Sequence, residues 1–308
     1  MVDKVSMGVD FAGMSMKNPV NTASGCFGYG EQFEGFFDVG RLGAITTKGC
    51  SAVPWPGNPG PRMHEIVSGM MNSVGLQNPG IKTLAQEYGD YFQDLEQRDC
   101  RVICQVAGHS IEEYIAAIEL YEQYLPFVSG LEINISCPNI DAGGAAMGAC
   151  AKSAAQVMAA LRPRTTKPLI VKMAPHDVAE IGRALEAEGA DGLSLINTIP
   201  GMAIDVYSKR SRLAKPTAGI SGPCIHHIAC RMVWEVAQAV NIPICGIGGV
   251  MSWEDAAEFI LAGASCLSVG MANLVEPTCA IEVVEGLEKW AQDMGVADIR
   301  ELIGAFEC

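Results

Sequence analysis

Residues 244–259, ICGIGGVMSWEDAAEF, read as a short apolar run, a glycine-rich turn and the start of a helix. Ser252 followed by Asp255 is typical of a helix N-cap, so we expect the helix to begin there. Apolar or β-branched runs like the one that opens this stretch recur along the chain at 18–24, 43–48, 101–107, 131–136, 168–174, 192–198, 242–247 and 266–271. Near-continuous apolar runs are typical of parallel strands buried on both faces.

Helical patterns lie between these runs. Ile111, Tyr114, Ile115 and Ile118 follow the spacing i, i+3, i+4, i+7, and residues 177–190 show a similar spacing. This spacing predicts helices with one buried face. Repeated strand–helix alternation favours an α/β fold, a (β/α)8 TIM barrel. An open doubly wound sheet is the alternative, although the G-x-G-x-x-G turn that it favours is not found after an early strand.

We expect residues 1–308 to form a single domain, with an N-terminal hairpin before the barrel. Residues 49–62 are rich in proline and glycine, and residues 199–221 separate the sixth strand from the next helix. Long structured loops in a compact domain are more often functional than accidental. We therefore expect both segments to be inserted active-site loops, the second with a small hairpin of its own.

The composition excludes several classes of protein. The chain carries 21 basic and 35 acidic side chains, a formal net charge of −14, so we expect no nucleic-acid partner. No apolar run reaches the ~20 residues of a transmembrane helix, so we expect no membrane partner. The 12 cysteines include no C-x-x-C pair and follow no signal peptide. This pattern predicts reduced thiols, a cytoplasmic location, and no metal site or iron–sulfur cluster held by this chain alone.

Ligands of TIM barrels meet the C-terminal ends of the strands. Carboxylates and histidines are nearly absent there, which disfavours paired-acid glycoside hydrolysis, metal hydrolysis and a Ser-His-Asp site. The glycine turns after the last two strands predict a phosphate site. The residues expected at the strand ends are Ser24, Lys48, Gln105, Asn134, Cys137, Lys172, Asn197, Thr198, Gly248, Gly249 and Gly270.

An ordered set of motifs closely resembles dihydroorotate dehydrogenase over essentially the whole chain. The most specific is N-I-S-C-P-N at 134–139, and the others are Lys48, 72–76 (NSVGL), Lys172, 196–198 (INT), 219–222 (GISG) and Gly248-Gly249. Cys137 resembles the class 1 enzymes, since the membrane-linked class 2 enzymes have serine there. The stretches 201–205 (GMAID) and 219–223 (GISGP) resemble the NAD-linked 1B catalytic subunit.

The resemblance implies oxidation of (S)-dihydroorotate to orotate in pyrimidine (UMP) biosynthesis, with FMN as cofactor. Cys137 would be the base that removes the C5 proton while hydride leaves C6 for FMN. Because a free thiol has a pKa of ~8.5, activity should rise with pH unless nearby cations lower that pKa. The implied partners are a second copy, as a homodimer core, and an iron–sulfur FAD electron-transfer subunit in a heterotetramer. The sequence leaves NAD, fumarate or another oxidant open as the final acceptor.

The resemblance also assigns binding residues. Lys48 would hold the substrate carboxylate by charge-assisted hydrogen bonds. The other substrate contacts implied are Asn72, Ser73, Val74, Gly75, Leu76, Asn134, Asn139, Asn197 and Thr198. The FMN contacts implied are Ser24, Lys48, Gly49, Gln105, Asn134, Lys172, Ile196, Gly222, Gly248, Gly249, Gly270 and Met271.

Some residues have more than one interpretation. Gln105 stands where the family usually has asparagine, which leaves its flavin contact open. Arg62 fits either closure of the 49–62 loop or the surface, and we expect His226 and His227 at surface or helix-packing positions. Alternatives to the leading function are a related flavin barrel acting on another dihydropyrimidine or enone, a Schiff-base lyase using Lys172, and a non-catalytic binding protein.

Overall fold

The computed structural model describes residues 5–136 and 147–307. In this part of the chain, eight parallel strands form one sheet. They are β1 (Val20–Thr22), β2 (Ala44–Thr46), β3 (Arg101–Val106), β4 (Gly130–Asn134), β5 (Leu169–Lys172), β6 (Gly192–Leu195), β7 (Ile244–Ile247) and β8 (Cys266–Val269). Every residue of these strands is buried except the first of β3. Their apolar character follows from having both faces covered.

The sheet curls into a nearly closed barrel. Its strand order is β1-β8-β7-β6-β5-β4-β3-β2, which brings the two edge strands, β1 and β2, next to each other. Gly43 N donates to Val20 O at 3.1 Å, and Thr46 N donates to Thr22 Oγ1 at 3.3 Å. The predicted α/β class and (β/α)8 TIM barrel are confirmed, and the alternative of an open doubly wound sheet is wrong.

Helices surround the barrel and connect its strands. They are α1 (Ile81–Gln97), α2 (Ile111–Tyr124), α3 (Ala151–Leu161), α4 (Val178–Ala187), α5 (His226–Ala237), α6 (Trp253–Leu261), α7 (Ala272–Val275) and α8 (Cys279–Asp293). The predicted start of α6 is confirmed: Asp255 Oδ2 accepts from Ser252 N at 3.1 Å in a capping box. None of the described helices is long and apolar enough to cross a membrane.

Short antiparallel sheets cover the two ends of the barrel. At the N-terminal end, Val9–Phe11 pairs with Met14–Met16, so the predicted N-terminal hairpin is confirmed. At the other end, Ile199–Gly201, Ala218–Ser221, Gly69–Asn72 and Met63–Ile66 form a four-stranded sheet, and Ile204–Asp205 pairs with Arg210–Ser211. The hairpin expected within 199–221 is therefore present, whereas the strands at 63–72 were not predicted. That the whole chain forms one domain stays a prediction.

Candidate active site

Three predicted site residues meet inside the C-terminal end of the barrel. Lys172 ends β5, Gln105 lies near the end of β3, and Ser24 follows β1. Ser24 Oγ accepts from Lys172 Nζ at 3.1 Å and from Gln105 Nε2 at 2.5 Å. Lys172 is 5% exposed and Gln105 is 3% exposed. The barrel therefore holds a cation and an amide in fixed positions, away from bulk water.

Sequence reasoning missed a buried carboxylate beside this cluster. Glu132 of β4 accepts from Gln105 Nε2 at 2.6 Å and from Ser194 Oγ at 2.7 Å. Its Oε1 also lies 4.0 Å from Lys172 Nζ. The available signal was a single acidic residue inside the apolar run LEINIS, since a charge is rarely buried there without a partner.

Asn134 and Asn197 form a second polar group where β4 and β6 end. Asn197 Nδ2 donates to Asn134 Oδ1 at 3.4 Å, and Ser136 Oγ lies 3.1 Å from that same oxygen. Thr198 follows Asn197, and a Cβ added to Gly219 would lie only 2.0 Å from Thr198 Oγ1. The outer antiparallel sheet thus packs directly against this polar group, which offers both donors and acceptors.

Lys48 brings a second cation to the same end of the barrel. Burial lowers the pKa of Lys48, and the nearby Arg62 guanidinium lowers it too, while Cys50 and Cys26 oppose the shift. Burial raises the pKa of the Cys26 thiol, against the opposing charges of Lys172 and Lys48. Both lysines therefore act on Cys26, a half-buried thiol that was not among the predicted site residues.

Glycines build a tight cradle after β7. Gly248 and Gly249 have φ values of 137° and 73°, and Gly222 has φ 109°, all in a region that favours glycine. A Cβ added to Gly249 would lie 2.8 Å from Gly222 O, and one added to Gly222 would lie 2.7 Å from Met271 Cε. A Cβ added to Gly270 would lie 3.4 Å from Ala23 Cβ. Close backbone approach at this position is typical of a phosphate-binding turn.

Ile196 links this cradle to the polar groups. Its N–H donates to Ile247 O at 2.8 Å, and Asn197 N donates to Met173 O at 2.9 Å. The Leu195–Ile196 peptide bond is cis. A Cβ added to Gly248 would lie 3.7 Å from Ile196 Cγ1. These backbone hydrogen bonds therefore connect the ends of β5, β6 and β7 to one another.

Residues 72–76 and the loop 49–62 hold each other in place beside the outer sheet. Ser73 N donates to Arg62 O at 2.8 Å, and Asn58 N donates to Val74 O at 3.0 Å. Asn72 pairs with Gly219, which packs on Thr198. Ser73 Oγ is buried and has no hydrogen-bond partner among the described residues. A buried hydroxyl without a partner fits a position that a polar ligand completes.

Three other predicted positions lie close to residues already described. Gly75 packs on Asn58, since a Cβ there would lie 2.7 Å from the Asn58 amide. Leu76 O accepts from Asn78 Nδ2 at 2.8 Å. A Cβ added to Gly49 would lie 2.6 Å from Gln105 Oε1. Cys137 and Asn139 lie outside the described residues.

The two histidines of α5 differ in their surroundings. His226 is buried, with Nδ1 3.0 Å from Gly248 O and Nε2 2.9 Å from Glu258 Oε2. The His227 side chain is 87% exposed, as expected for a surface residue. Although His226, His227 and Glu258 offer ligand atoms within 4.8 Å of one another, both nitrogens of His226 already have protein partners. His226 is a helix-packing residue that also supports the glycine cradle.

A separate cavity lies away from this site. A cavity of about 250 Å³ is lined by residues that include Ala237, Leu261 and Phe306. Ala237 and Leu261 end α5 and α6, and helices of a TIM barrel run antiparallel to its strands. This cavity therefore lies at the N-terminal end of the barrel, away from Lys48 and Lys172.

Comparisons with known proteins show the family of this chain. The model of the dihydroorotate dehydrogenase family matches residues 6–290. Several relatives are named "Dihydroorotate dehydrogenase B (NAD(+)), catalytic subunit". The one from Geotalea uraniireducens is 47% identical over 304 residues, 98% of this chain and 98% of the relative. The one from Bacteroides thetaiotaomicron is 46% identical over 303 residues, 98% of this chain and 99% of the relative. The chain belongs to the dihydroorotate dehydrogenase family.

Proposed function

We propose that this chain is the catalytic subunit of an NAD-linked dihydroorotate dehydrogenase, which oxidises (S)-dihydroorotate to orotate in pyrimidine biosynthesis. The observation that carries the proposal is the buried Lys172–Ser24–Gln105 cluster at the C-terminal end of the barrel. It lies in a chain that matches enzymes of that name along nearly its full length. A buried cation and amide facing the ligand end of a barrel suit an anionic, hydrogen-bonding cofactor and substrate.

Dihydroorotate dehydrogenases are flavin enzymes, and FMN is the flavin that we propose here. The cradle of Gly222, Gly248 and Gly249 fits a phosphate group, because a turn of closely packed glycines between a strand and a helix is typical of phosphate-binding sites. Gly270, Met271 and Ile196 complete that end of the site. When bound, FMN supplies the acceptor for the hydride that leaves C6 of dihydroorotate.

The flavin ring would lie over the buried polar cluster. Lys172, Ser24 and Gln105 would hold the flavin ring, together with Gly49, Lys48 and Asn134. Gln105 Nε2 is held by Ser24 and Glu132, so its Oε1 is the atom left on the side of Gly49. Glutamine in place of the usual asparagine therefore still offers an acceptor to the ring.

Lys48 would bind the carboxylate of the substrate. Asn72, Asn134, Asn139 and Asn197 would hydrogen-bond the imide ring, because amides offer both donors and acceptors. Ser73, Val74, Gly75, Leu76 and Thr198 would line the same space, and the unpartnered Ser73 Oγ supports this. Cys137 would be the base: its thiolate takes the C5 proton, so that a double bond forms between C5 and C6.

The name shared by the relatives, "catalytic subunit", implies a partner subunit. We propose that the partner carries FAD and an iron–sulfur cluster and passes electrons to NAD. We also propose a homodimer core within a heterotetramer in the cytoplasm. Co-expression with such a flavoprotein should give NAD reduction that this chain alone lacks.

The proposal is tested by purifying the chain and analysing what it binds. The protein should be yellow and release FMN on denaturation, and dihydroorotate should reduce it under anaerobic conditions. Reoxidation by NAD, with and without the partner, and by fumarate identifies the acceptor. A colourless protein that borohydride traps covalently with a carbonyl substrate at Lys172 would contradict the proposal and favour a lyase.

A further inference from the structure

Glu132 is a buried acid with no role in the function proposed above. Among residues 5–136 and 147–307 it is the only acidic residue in the buried set, with 3% of its surface exposed. It lies opposite Gln105 in the pairing of β3 and β4, two residues before Asn134. It is therefore one layer deeper in the barrel than the side chains at the mouth. A buried carboxylate is unfavourable unless it is paired and hydrogen-bonded.

Both oxygens of Glu132 have partners that belong to the site or adjoin it. Oε1 accepts from Gln105 Nε2 at 2.6 Å, and Oε2 accepts from Ser194 Oγ at 2.7 Å. Lys172 Nζ lies 4.0 Å from Oε1, too far for a direct hydrogen bond but close for two charges in a buried place. Ser24 Oγ accepts from both Lys172 and Gln105 and so closes the ring of contacts.

From this ring we infer that Glu132 is a positioning residue: its negative charge keeps Lys172 protonated, and its hydrogen bond turns Gln105 so that Oε1 faces the flavin. The inference rests on the proposed function, since Lys172 and Gln105 are residues that we propose to contact FMN. Glu132 itself does not reach the flavin.

The orientation of the Gln105 amide follows from its two neighbours. Glu132 Oε1 is an acceptor when the acid is ionised, so the amide nitrogen must face it. The same nitrogen donates to Ser24 Oγ at 2.5 Å. The amide oxygen then faces Gly49, and a Cβ added to Gly49 would lie 2.6 Å from that oxygen. Without Glu132, the contact with Ser24 alone would hold the amide in this orientation.

The charge of Lys172 depends on what faces it. A buried ammonium without a counter-charge loses its proton readily. Cys26 feels the charges of both Lys172 and Lys48, whereas Cys266 interacts with Cys245 and with Glu132. Burial raises the pKa of Cys26 and of Cys266, so these thiols stay neutral. Within the described part of the chain, Glu132 is therefore the negative charge that faces Lys172.

The test is the pH dependence of the FMN midpoint potential in the Glu132→Gln holoenzyme, between about pH 7 and pH 9, below the ordinary pKa of lysine. In the wild type, where Glu132 Oε1 lies 4.0 Å from Lys172 Nζ, we expect no added proton uptake at this lysine on reduction. In the variant we expect Lys172 to be neutral before reduction and to take up a proton with the two electrons. The midpoint potential should then fall more steeply with pH, by about a further 30 mV per pH unit. That change corresponds to a tenfold change in the equilibrium constant for this two-electron reaction.

Ser194→Ala is the matched control, because it removes the other hydrogen bond to Glu132 but keeps the carboxylate. In Ser194→Ala, the slope of the midpoint potential against pH should equal that of the wild type. In Glu132→Asp, which keeps a carboxylate, the slope should lie between those of the wild type and Glu132→Gln. An unchanged slope in Glu132→Gln, or a shift that is equal at every pH, would overturn the inference, since Lys172 would then keep its proton unaided. A wild-type protein without FMN would instead contradict the proposed function.

A second measurement needs no flavin. In the apoprotein, the denaturant midpoints of Glu132→Gln, Lys172→Met and the double variant form a double-mutant cycle. Removing one member of a buried pair leaves an uncompensated charge, whereas removing both does not. We expect the double variant to lose less stability than the sum of the single losses. Additive losses would contradict the pairing of Glu132 with Lys172.

Discussion

At the scale of single residues, the site depends on how burial sets the charge of a few side chains. Lys48 and Lys172 both act on Cys26, so two ammonium groups share one small region. Burial lowers the pKa of Lys48, and Arg62 adds to this effect. Lys48 therefore loses its proton at a lower pH than an exposed lysine. Its charge remains available to an anion below that pH.

Lys48→Ala should weaken orotate binding about tenfold or more, because a hydrogen bond to a charged group contributes ~1.5–3 kcal/mol. FMN binding should change much less. Isothermal titration of the holoenzyme with orotate measures the first effect, and flavin fluorescence during reconstitution measures the second. Lys289→Ala is the control, since that side chain is 73% exposed. Unchanged orotate affinity in Lys48→Ala would contradict the assignment.

The wild-type enzyme should lose orotate affinity as pH rises through the lowered pKa of Lys48. The sign follows because the proposed contact between Lys48 and the carboxylate needs a protonated lysine. If Cys137 is the base, dihydroorotate oxidation should first increase with pH as its thiol ionises, and then decrease as Lys48 loses its charge. A bell-shaped profile of kcat/KM would show both effects. A profile that keeps rising beyond pH ~10.4, the ordinary lysine value, would contradict the role of Lys48.

Cys137→Ala should nearly abolish dihydroorotate oxidation while leaving FMN bound, because it would remove only the proposed base. Cys137→Ser should keep some activity and shift it to higher pH, since a hydroxyl loses its proton less readily than a thiol. Initial rates across pH measure both, with Cys224→Ala at an exposed cysteine as control. If the serine variant keeps the wild-type pH profile, residue 137 is not the base.

At the scale of elements, the turn after β7 is closely constrained by its neighbours. Gly248 and Gly249 have positive φ, and the backbone of Gly222 lies directly against Gly249. His226 at the start of α5 holds Gly248 O through Nδ1 at 3.0 Å. This turn is thus supported from two sides by backbone and by one buried imidazole.

Gly249→Ala should lower FMN affinity by about tenfold or more but change riboflavin affinity much less, because only FMN carries the phosphate that the cradle would hold. Gly13→Ala is the matched control: its φ of 78° imposes similar backbone strain, but a Cβ there meets nothing within 4 Å. Reconstitution titrations of each apoprotein with both flavins give the four affinities. Equal losses for FMN and riboflavin would argue against a phosphate site at this turn.

The elements also show what the sequence could predict. Each of the eight apolar runs overlaps one barrel strand, because burial on both faces leaves a strong local signal. The predicted stripe on α2 was only half right: Tyr114 and Ile118 are buried, whereas Ile111 and Ile115 are half-buried. Ala117 and Tyr121 complete the buried face instead, since tertiary packing, not spacing alone, sets the rotation of a helix.

Sequence alone could predict only those site residues that lie at the ends of strands. Lys172 and Asn134 end apolar runs, so sequence alone places them at the mouth of the barrel. Glu132 lies in the middle of a run, and its partners belong to β3, β5 and β6, which only the folded barrel brings together. The outer strands at 63–72 lack a clear alternation, so the pairing of Asn72 with Gly219 could not be predicted.

At the scale of the whole molecule, the two ends of the barrel have different chemistry. The N-terminal hairpin closes one end: a Cβ added to Gly192 would lie 3.2 Å from both Ala12 and Phe11, and one added to Gly130 would lie 3.0 Å from Met14. The other end gathers lysines, amides and the outer antiparallel sheet. Since the chain carries a net charge of −14, an anionic substrate is attracted only by local cations such as Lys48.

The most direct test of the account is a single-turnover experiment without oxygen or an external acceptor. The FMN-loaded chain is mixed with dihydroorotate while flavin absorbance and orotate are followed together. The account predicts one orotate formed per flavin reduced, with Cys137→Ala still yellow but not reduced on the same timescale. A wild-type protein that binds FMN but is not reduced by dihydroorotate would contradict it, as would equal reduction rates in the two proteins.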